Sequence, residues 1–191
     1  LVAFLDCAYQ GFGDGIEPDA TALRLFADSG LSFFVSSSFS KSFSLYGERV
    51  GALSIVCESA DAAARVTSQV KRLIRTNYSN PPTHGGAIVT AVLSTPELRG
   101  LWETELGGMR DRIRSMRSGL VAGLKAAGVK QDFSFVERQR GMFSYSGLTK
   151  EQVDRLREEF AVYAVSSGRI CVAALNSRNL DYVAASIAKV L

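Results

Sequence analysis

From Glu97 to Leu124 the apolar residues Leu98, Trp102, Leu106, Met109, Ile113, Met116, Leu120 and Leu124 recur at steps of three or four. That spacing lines one face of an α-helix and predicts a single long amphipathic helix of about 40 Å at 1.5 Å per residue. The pair Gly107-Gly108 is a place for it to bend, since adjacent glycines weaken the hydrogen-bond ladder. A rod of that length commonly bridges two domains, and the texture of the chain changes across it.

Before the helix, three apolar runs read as strands: Leu1 to Leu5, Leu31 to Val35 and Val50 to Cys57. Asp19 to Ala27 has helical spacing between the first two, with Asp19 as candidate N-cap and Gly30 beyond its end. Ala60 to Tyr78 reads as a helix broken at Pro81-Pro82, and His84 to Leu93 as a short apolar one. Strands alternating with helices argue for an α/β layered sheet. After Gly128 the expected elements are smaller. Phe133 to Val136, Met142 to Tyr145, Tyr163 to Val165 and Ile170 to Ala173 read as short strands. Thr149 to Phe160 opens on Thr-x-x-Gln, a capping box, and Asn179 to Leu191 is a closing helix. This part reads as a small α+β domain. The predicted organisation is residues 1–108 as part of a large domain, and residues 109–191 as the end of the linking helix with the small domain.

Bulk composition narrows the function. Hydrophobic content of 47%, charged content of 21% and a net charge of +3 over 191 residues are those of a globular protein. The charge is too mild and too mixed in sign to argue for nucleic acid. No run approaches the length of a membrane span, and no signal peptide is visible. Cys7, Cys57 and Cys171 are far apart and lie in apolar segments. They read as buried thiols in a reducing cytoplasm, with no metal-ligand spacing. The chain opens on LVAFLD without methionine, as if entered in mid-strand. It is expected to be a fragment of a longer protein.

Polar residues gather at the ends of the predicted strands. Asp6 ends the first, Ser38 and Lys41 follow the second, Arg49 precedes the third, and Arg169 lies between two later ones. In open α/β sheets, strand ends are where ligands bind. An amine, a carboxylate, hydroxyls (Ser38, Ser40) and a guanidinium meet the needs of pyridoxal phosphate. These are a Schiff-base nitrogen, a partner for the pyridine nitrogen, and a phosphate site. Ser38-Phe39-Ser40-Lys41 also spells Ser-x-x-Lys, the nucleophile motif of some acyl hydrolases, but no Lys-Thr-Gly follows. His84, the lone histidine, reads as structural or exposed, and Trp102 as packing on the helix stripe.

Six segments, in order, resemble the class I aminotransferases of the aspartate and aromatic type. They are FLDCAYQGFGDG, SSSFSKSFSLYGERVGA, RTNYSNPPTHG, RGMFSYSGL, EQVDRLREEFAVY and SSGRICVA. The resemblance runs over the whole chain and is nearest the aromatic (tyrosine aminotransferase) branch. It implies the C-terminal half of a fold type I pyridoxal-phosphate-dependent transferase. In such a protein the C-terminal part of the large mixed α/β sheet domain is joined by a long helix to a small α+β domain.

By position, Lys41 would hold the cofactor and act as general base and acid. Asp6 would pair with the pyridinium nitrogen, and Tyr9 would donate to the ring's 3-oxygen. Ser38 and Arg49 would bind the phosphate. Arg169 would clamp the substrate α-carboxylate, and Phe143 would line the pocket. Arg75 would reach across a homodimer interface to the distal carboxylate of dicarboxylic substrates. Implied partners are amino acids and 2-oxo acids, with 2-oxoglutarate as acceptor. Ala174 departs from the pattern, which has glycine there. The family's N-terminal phosphate-binding helix start is absent from these residues, so a remnant that only dimerises is the alternative expectation.

Overall fold

The computed structural model describes residues 1–191, which divide into two compact units. The first comprises Leu1–Gly11 and Gly15–Leu106, and the second Phe12–Asp14 and Gly107–Leu191. No helix is long and apolar enough to cross a membrane.

In the first unit, β1 (Ala3–Cys7), β2 (Phe33–Ser38) and β3 (Gly51–Val56) form one sheet in that order. β1 and β2 are parallel, with Asp6 opposite Ser36; α1 (Thr21–Asp28) is the crossover between them. β2 and β3 are antiparallel, with Ser38 opposite Gly51. β2 alternates as a sheet with one covered face should: Phe33 and Val35 are buried and Phe34 and Ser36 only partly so. The Phe33 ring packs against Phe26 of α1, with centroids 5.5 Å apart. Burying each such apolar side chain is worth about 1.5–3 kcal/mol. The outer strands differ. Phe4 on β1 is 65% exposed and Leu53 on β3 is 56% exposed.

Three helices follow. α2 (Ala60–Asn77) is capped by Ser59, whose side chain accepts the Ala62 N–H at 3.1 Å. α3 (Thr83–Ser94) starts just after Pro81-Pro82. α4 (Pro96–Ala126) is the long helix expected from the sequence, and it continues through Gly107-Gly108 without a break.

In the second unit, α4 buries Leu106's successors on its stripe, Ile113, Leu120 and Leu124, each at most 2% exposed. Around them lie α5 (Ser134–Arg138), the two-stranded antiparallel pair β4 (Phe143–Tyr145) and β5 (Arg169–Cys171), α6 (Lys150–Phe160) and α7 (Leu180–Val190). The capping box is present at α6: Thr149 accepts from Gln152 N–H, and the Gln152 side chain accepts from Thr149 N–H. Arg112 ties the chain after β5 to α4, donating to the carbonyls of Ala173 at 2.8 Å and Leu175 at 2.7 Å.

Four local expectations are corrected. Phe133 to Val136 is not a strand. Asp132 accepts the Ser134 N–H at 2.8 Å and starts α5, where Phe133 and Val136 share a buried face at i, i+3 spacing. Tyr163 to Val165 forms no ladder, because the Val165 N–H is used in a turn onto the Arg169 carbonyl. Asp19 does not cap α1. A 3₁₀ turn at Pro18–Ala20 leads into the helix, and the Asp19 carboxylate instead accepts the Gly11 N–H at 2.8 Å. The cysteines are not all buried: Cys7 and Cys57 are half-buried and Cys171 is exposed, all three unpaired.

Candidate functional site

The connection from β2 to β3 carries Lys41. It is closed at its base by Phe39 N–H donating to the Val50 carbonyl at 3.2 Å, and by a backbone bond from Ser44 to Lys41 at 3.1 Å. Gly51 is required where the loop re-enters the sheet, because a Cβ there would lie 2.8 Å from the Ser37 carbonyl oxygen. Arg49 sits just before it at φ +53, a left-handed conformation that costs a side-chain-bearing residue energy. Its guanidinium donates to the Tyr46 carbonyl at 2.9 Å, within its own loop.

Lys41 and Tyr9 meet. The ammonium lies 4.8 Å from the centroid of the Tyr9 ring. Tyr9 follows β1 and Lys41 follows β2, so the parallel pairing puts both just past the carboxyl ends of neighbouring strands. Asp6, on the same end of β1, is exposed and accepts a hydrogen bond from Ser36 Oγ at 3.2 Å. Burial, and then the Asp6 charge, pushes the neighbouring Cys7 thiol up from its ordinary range. Ser38 closes β2, and its Oγ accepts the Ser40 N–H at 3.2 Å. A Ser-x-x-Lys nucleophile would open a helix, so the position of Ser38 at a strand end does not favour an acyl hydrolase.

Trp102 was expected only to pack, and it does more. Its indole N–H donates to the Ser42 carbonyl at 2.7 Å, and its ring stacks on Phe43 with centroids 4.6 Å apart. Phe43 in turn meets Phe39 edge-on. This aromatic ladder grips the turn that presents Lys41. Its sequence signal is faint: Phe39 and Phe43 flank the lysine at a four-residue interval.

The remaining residues lie elsewhere. Arg75 occupies the last turn of α2 and is exposed, its guanidinium donating to Ser79 Oγ. It shares no hydrogen bond or ion pair with Lys41 or Asp6. His84 is exposed in the first turn of α3.

In the second unit, Arg169 opens β5, with its guanidinium carbon 4.8 Å from the centroid of the Phe143 ring on β4. The tight turn before it needs Gly168, at φ +82 and with a Cβ position only 2.7 Å from the Leu148 carbonyl oxygen. Phe143 and Arg169 thus form a second cluster, a planar cation laid on an aromatic face. Ala174 ends a 3₁₀ turn after β5 and is exposed.

Residues 1–187 match the family model for aminotransferase class I and II. The chain is 73% identical over 190 residues to an aspartate aminotransferase of Pseudomonas aeruginosa, and 53% identical over 191 residues to an aromatic-amino-acid aminotransferase of Escherichia coli. All of this chain is covered in both matches, against 48% of each relative. The chain therefore spans about half the length of the curated relatives it matches. Among solved structures, an aromatic-amino-acid aminotransferase from Burkholderia pseudomallei covalently bound to pyridoxal phosphate superposes with a TM-score of 0.98 at 75% identity. That match covers 100% of this chain and 48% of that one.

Proposed function

Since this chain belongs to the class I and II aminotransferase family, we propose that it is the cofactor-holding C-terminal half of a pyridoxal-phosphate-dependent transaminase. Its substrates are aromatic and dicarboxylic amino acids, with 2-oxoglutarate as amino acceptor. The observation that carries this reading is the Lys41 amine lying 4.8 Å over the Tyr9 ring, at the sheet edge that also bears Asp6.

The donor set fits the group. An amine, a phenol, a carboxylate, a hydroxyl and a guanidinium are the partners that an aldehyde, a ring oxygen, a pyridine nitrogen and a phosphate require. When bound, the cofactor supplies an electron-withdrawing ring that accepts the charge left at the substrate Cα. Lys41 holds the cofactor covalently and, once displaced by substrate, takes the Cα proton and returns it. Asp6 keeps the ring nitrogen protonated. Tyr9 donates to the ring's 3-oxygen, and Ser38 and Arg49 anchor the phosphate.

Arg169 grips the α-carboxylate through its planar fork, with Phe143 lining the pocket beneath it. Arg75, which shares no hydrogen bond or ion pair with Lys41, serves the active site of a second copy in a homodimer, where it meets distal carboxylates. The three unpaired cysteines suit a reducing cytoplasm.

The chain spans about half the length of the relatives it matches. Residues 1–191 by themselves therefore also fit a remnant that retains no cofactor. Replacing Lys41 with Ala in the whole protein abolishes both the visible absorbance of bound cofactor and turnover. Turnover retained in Lys41→Ala would remove the proposal, and a colourless parent protein that stays so with added pyridoxal phosphate would favour the remnant.

A further inference from the structure

Arg117 lies on the apolar stripe of α4, four residues after Ile113 and three before Leu120, and is only 2% exposed. Its Nε donates to Ser144 Oγ at 3.0 Å. One terminal nitrogen donates to the Phe143 carbonyl at 3.0 Å and also to the Gly141 carbonyl. All three acceptors are neutral, and no carboxylate pairs with it. Burial lowers its proton affinity from the ordinary guanidinium range, and the charges of Arg140 and Arg114 act in the same direction. A buried cation without a counter-ion is costly, and an apolar side chain of similar volume would fill the space at no such cost. Its hydrogen bonds converge on one short segment, Gly141 to Ser144, whose central side chain is Phe143. The Phe143 ring is the surface on which the Arg169 guanidinium rests, at 4.8 Å.

We infer that Arg117 is a positioning residue for substrate carboxylate binding. By holding the backbone on both sides of Phe143 it fixes the aromatic face under Arg169, and so fixes the direction in which the Arg169 fork points. This rests on the reading of Arg169 as the carboxylate clamp. A guanidinium resting over a ring, with no carboxylate of its own, keeps N–H groups available for a bidentate partner. If the ring tilts, the fork tilts with it. A residue serving only to fill the core would be replaceable by methionine without effect on binding.

The test uses the holoenzyme and five variants: Arg117→Met, Arg117→Lys, Ser144→Ala, Arg169→Leu and the double variant of Arg117→Met with Arg169→Leu. Two quantities are read. One is the dissociation constant of 3-phenylpropionate, an aromatic monocarboxylate, by calorimetry; the other is KM against kcat for an aromatic amino acid. Arg117→Met is expected to weaken 3-phenylpropionate and raise KM by about tenfold, the size of one lost charge-assisted contact, with a much smaller change in kcat. Arg117→Lys recovers part of that loss. Arg117→Met combined with Arg169→Leu binds no more weakly than Arg169→Leu alone.

Should Arg117→Met fail to fold, Ser144→Ala decides, since it removes only the Nε acceptor. A weakening of about threefold supports the inference, and unchanged binding overturns it. If Arg169→Leu weakens 3-phenylpropionate while Arg117→Met and Ser144→Ala do not, the role of Arg117 is wrong and that of Arg169 stands. If Arg169→Leu binds like the parent, both fall.

Discussion

The indole N–H of Trp102 donates to the backbone carbonyl of Ser42 at 2.7 Å, one residue beyond Lys41. A side chain on the long helix thereby fixes the turn that presents the amine. Trp102→Phe keeps a ring for Phe43 to stack on but strands the Ser42 carbonyl, at an expected cost of about 1 kcal/mol. Trp102→Ala also removes the stack and leaves a gap, at about 3 kcal/mol. Denaturant unfolding of the two variants checks the order; equal losses would show that the hydrogen bond contributes all of the effect.

Arg75 is exposed at the end of α2 and bonded only to Ser79. If it serves a neighbouring copy's pocket, Arg75→Leu lowers kcat/KM for aspartate by at least about a hundredfold while changing that for phenylalanine by less than about fivefold. Steady-state kinetics with both substrates decides it. Equal losses would mean that Arg75 supports the fold or the dimer instead of recognising a carboxylate.

Gly168 combines a φ of +82 with a Leu148 carbonyl oxygen 2.7 Å from where a Cβ would stand. Gly168→Ala is expected to lose about 1–3 kcal/mol from backbone strain. It must also displace the turn that leads into Arg169. Thermal unfolding measures the first effect, and weakened binding of a monocarboxylate the second.

α6 is laced by exposed ion pairs. The Lys150 ammonium, hydrogen-bonded to Asp154 at 2.6 Å, holds that carboxyl below its usual range, with Arg157 adding to the effect; Arg155 does the same for Glu159. A depressed carboxyl contributes stability that is present above its unfolded pKa and is lost as pH falls through its lower folded value. Lys150 and Arg155 are raised by the same pairs, so their contribution is lost only in strong alkali. The protection of α6 amides, taken relative to unstructured amides at the same pH, should therefore fall on acidification below the ordinary carboxylate range, modestly, as exposed pairs are weak. Asp154→Asn should blunt that response, and an unchanged acid profile in that variant would count against the pairing.

What could be read from the residues follows from the range of the forces involved. The Thr149–Gln152 capping box is local and stands as written, and so does the three-and-four periodicity of the long helix. The misread stretches are those where a local pattern has two solutions. Phe133 and Val136 suit a strand end or one helical turn, and the Asp132 carboxylate, accepting the Ser134 N–H, favours the turn. Tyr163 to Val165 has strand composition, but a strand also needs a partner, and the turn to Arg169 took its N–H.

Residues acting at a distance along the chain were the least legible. Nothing around Trp102 announces a bond sixty residues away, and Arg117 shows only as a charge at an apolar position of the helix period. The polar residues at the strand ends were visible because sheet topology, not distance in sequence, brings Lys41 to Tyr9.

The three-stranded sheet has two unsatisfied margins, one along β1 beside exposed Phe4 and one along β3 beside exposed Leu53. Each presents a row of backbone donors and acceptors that another extended segment can dock onto. A polypeptide of these residues alone is therefore expected to associate edge to edge as its concentration rises.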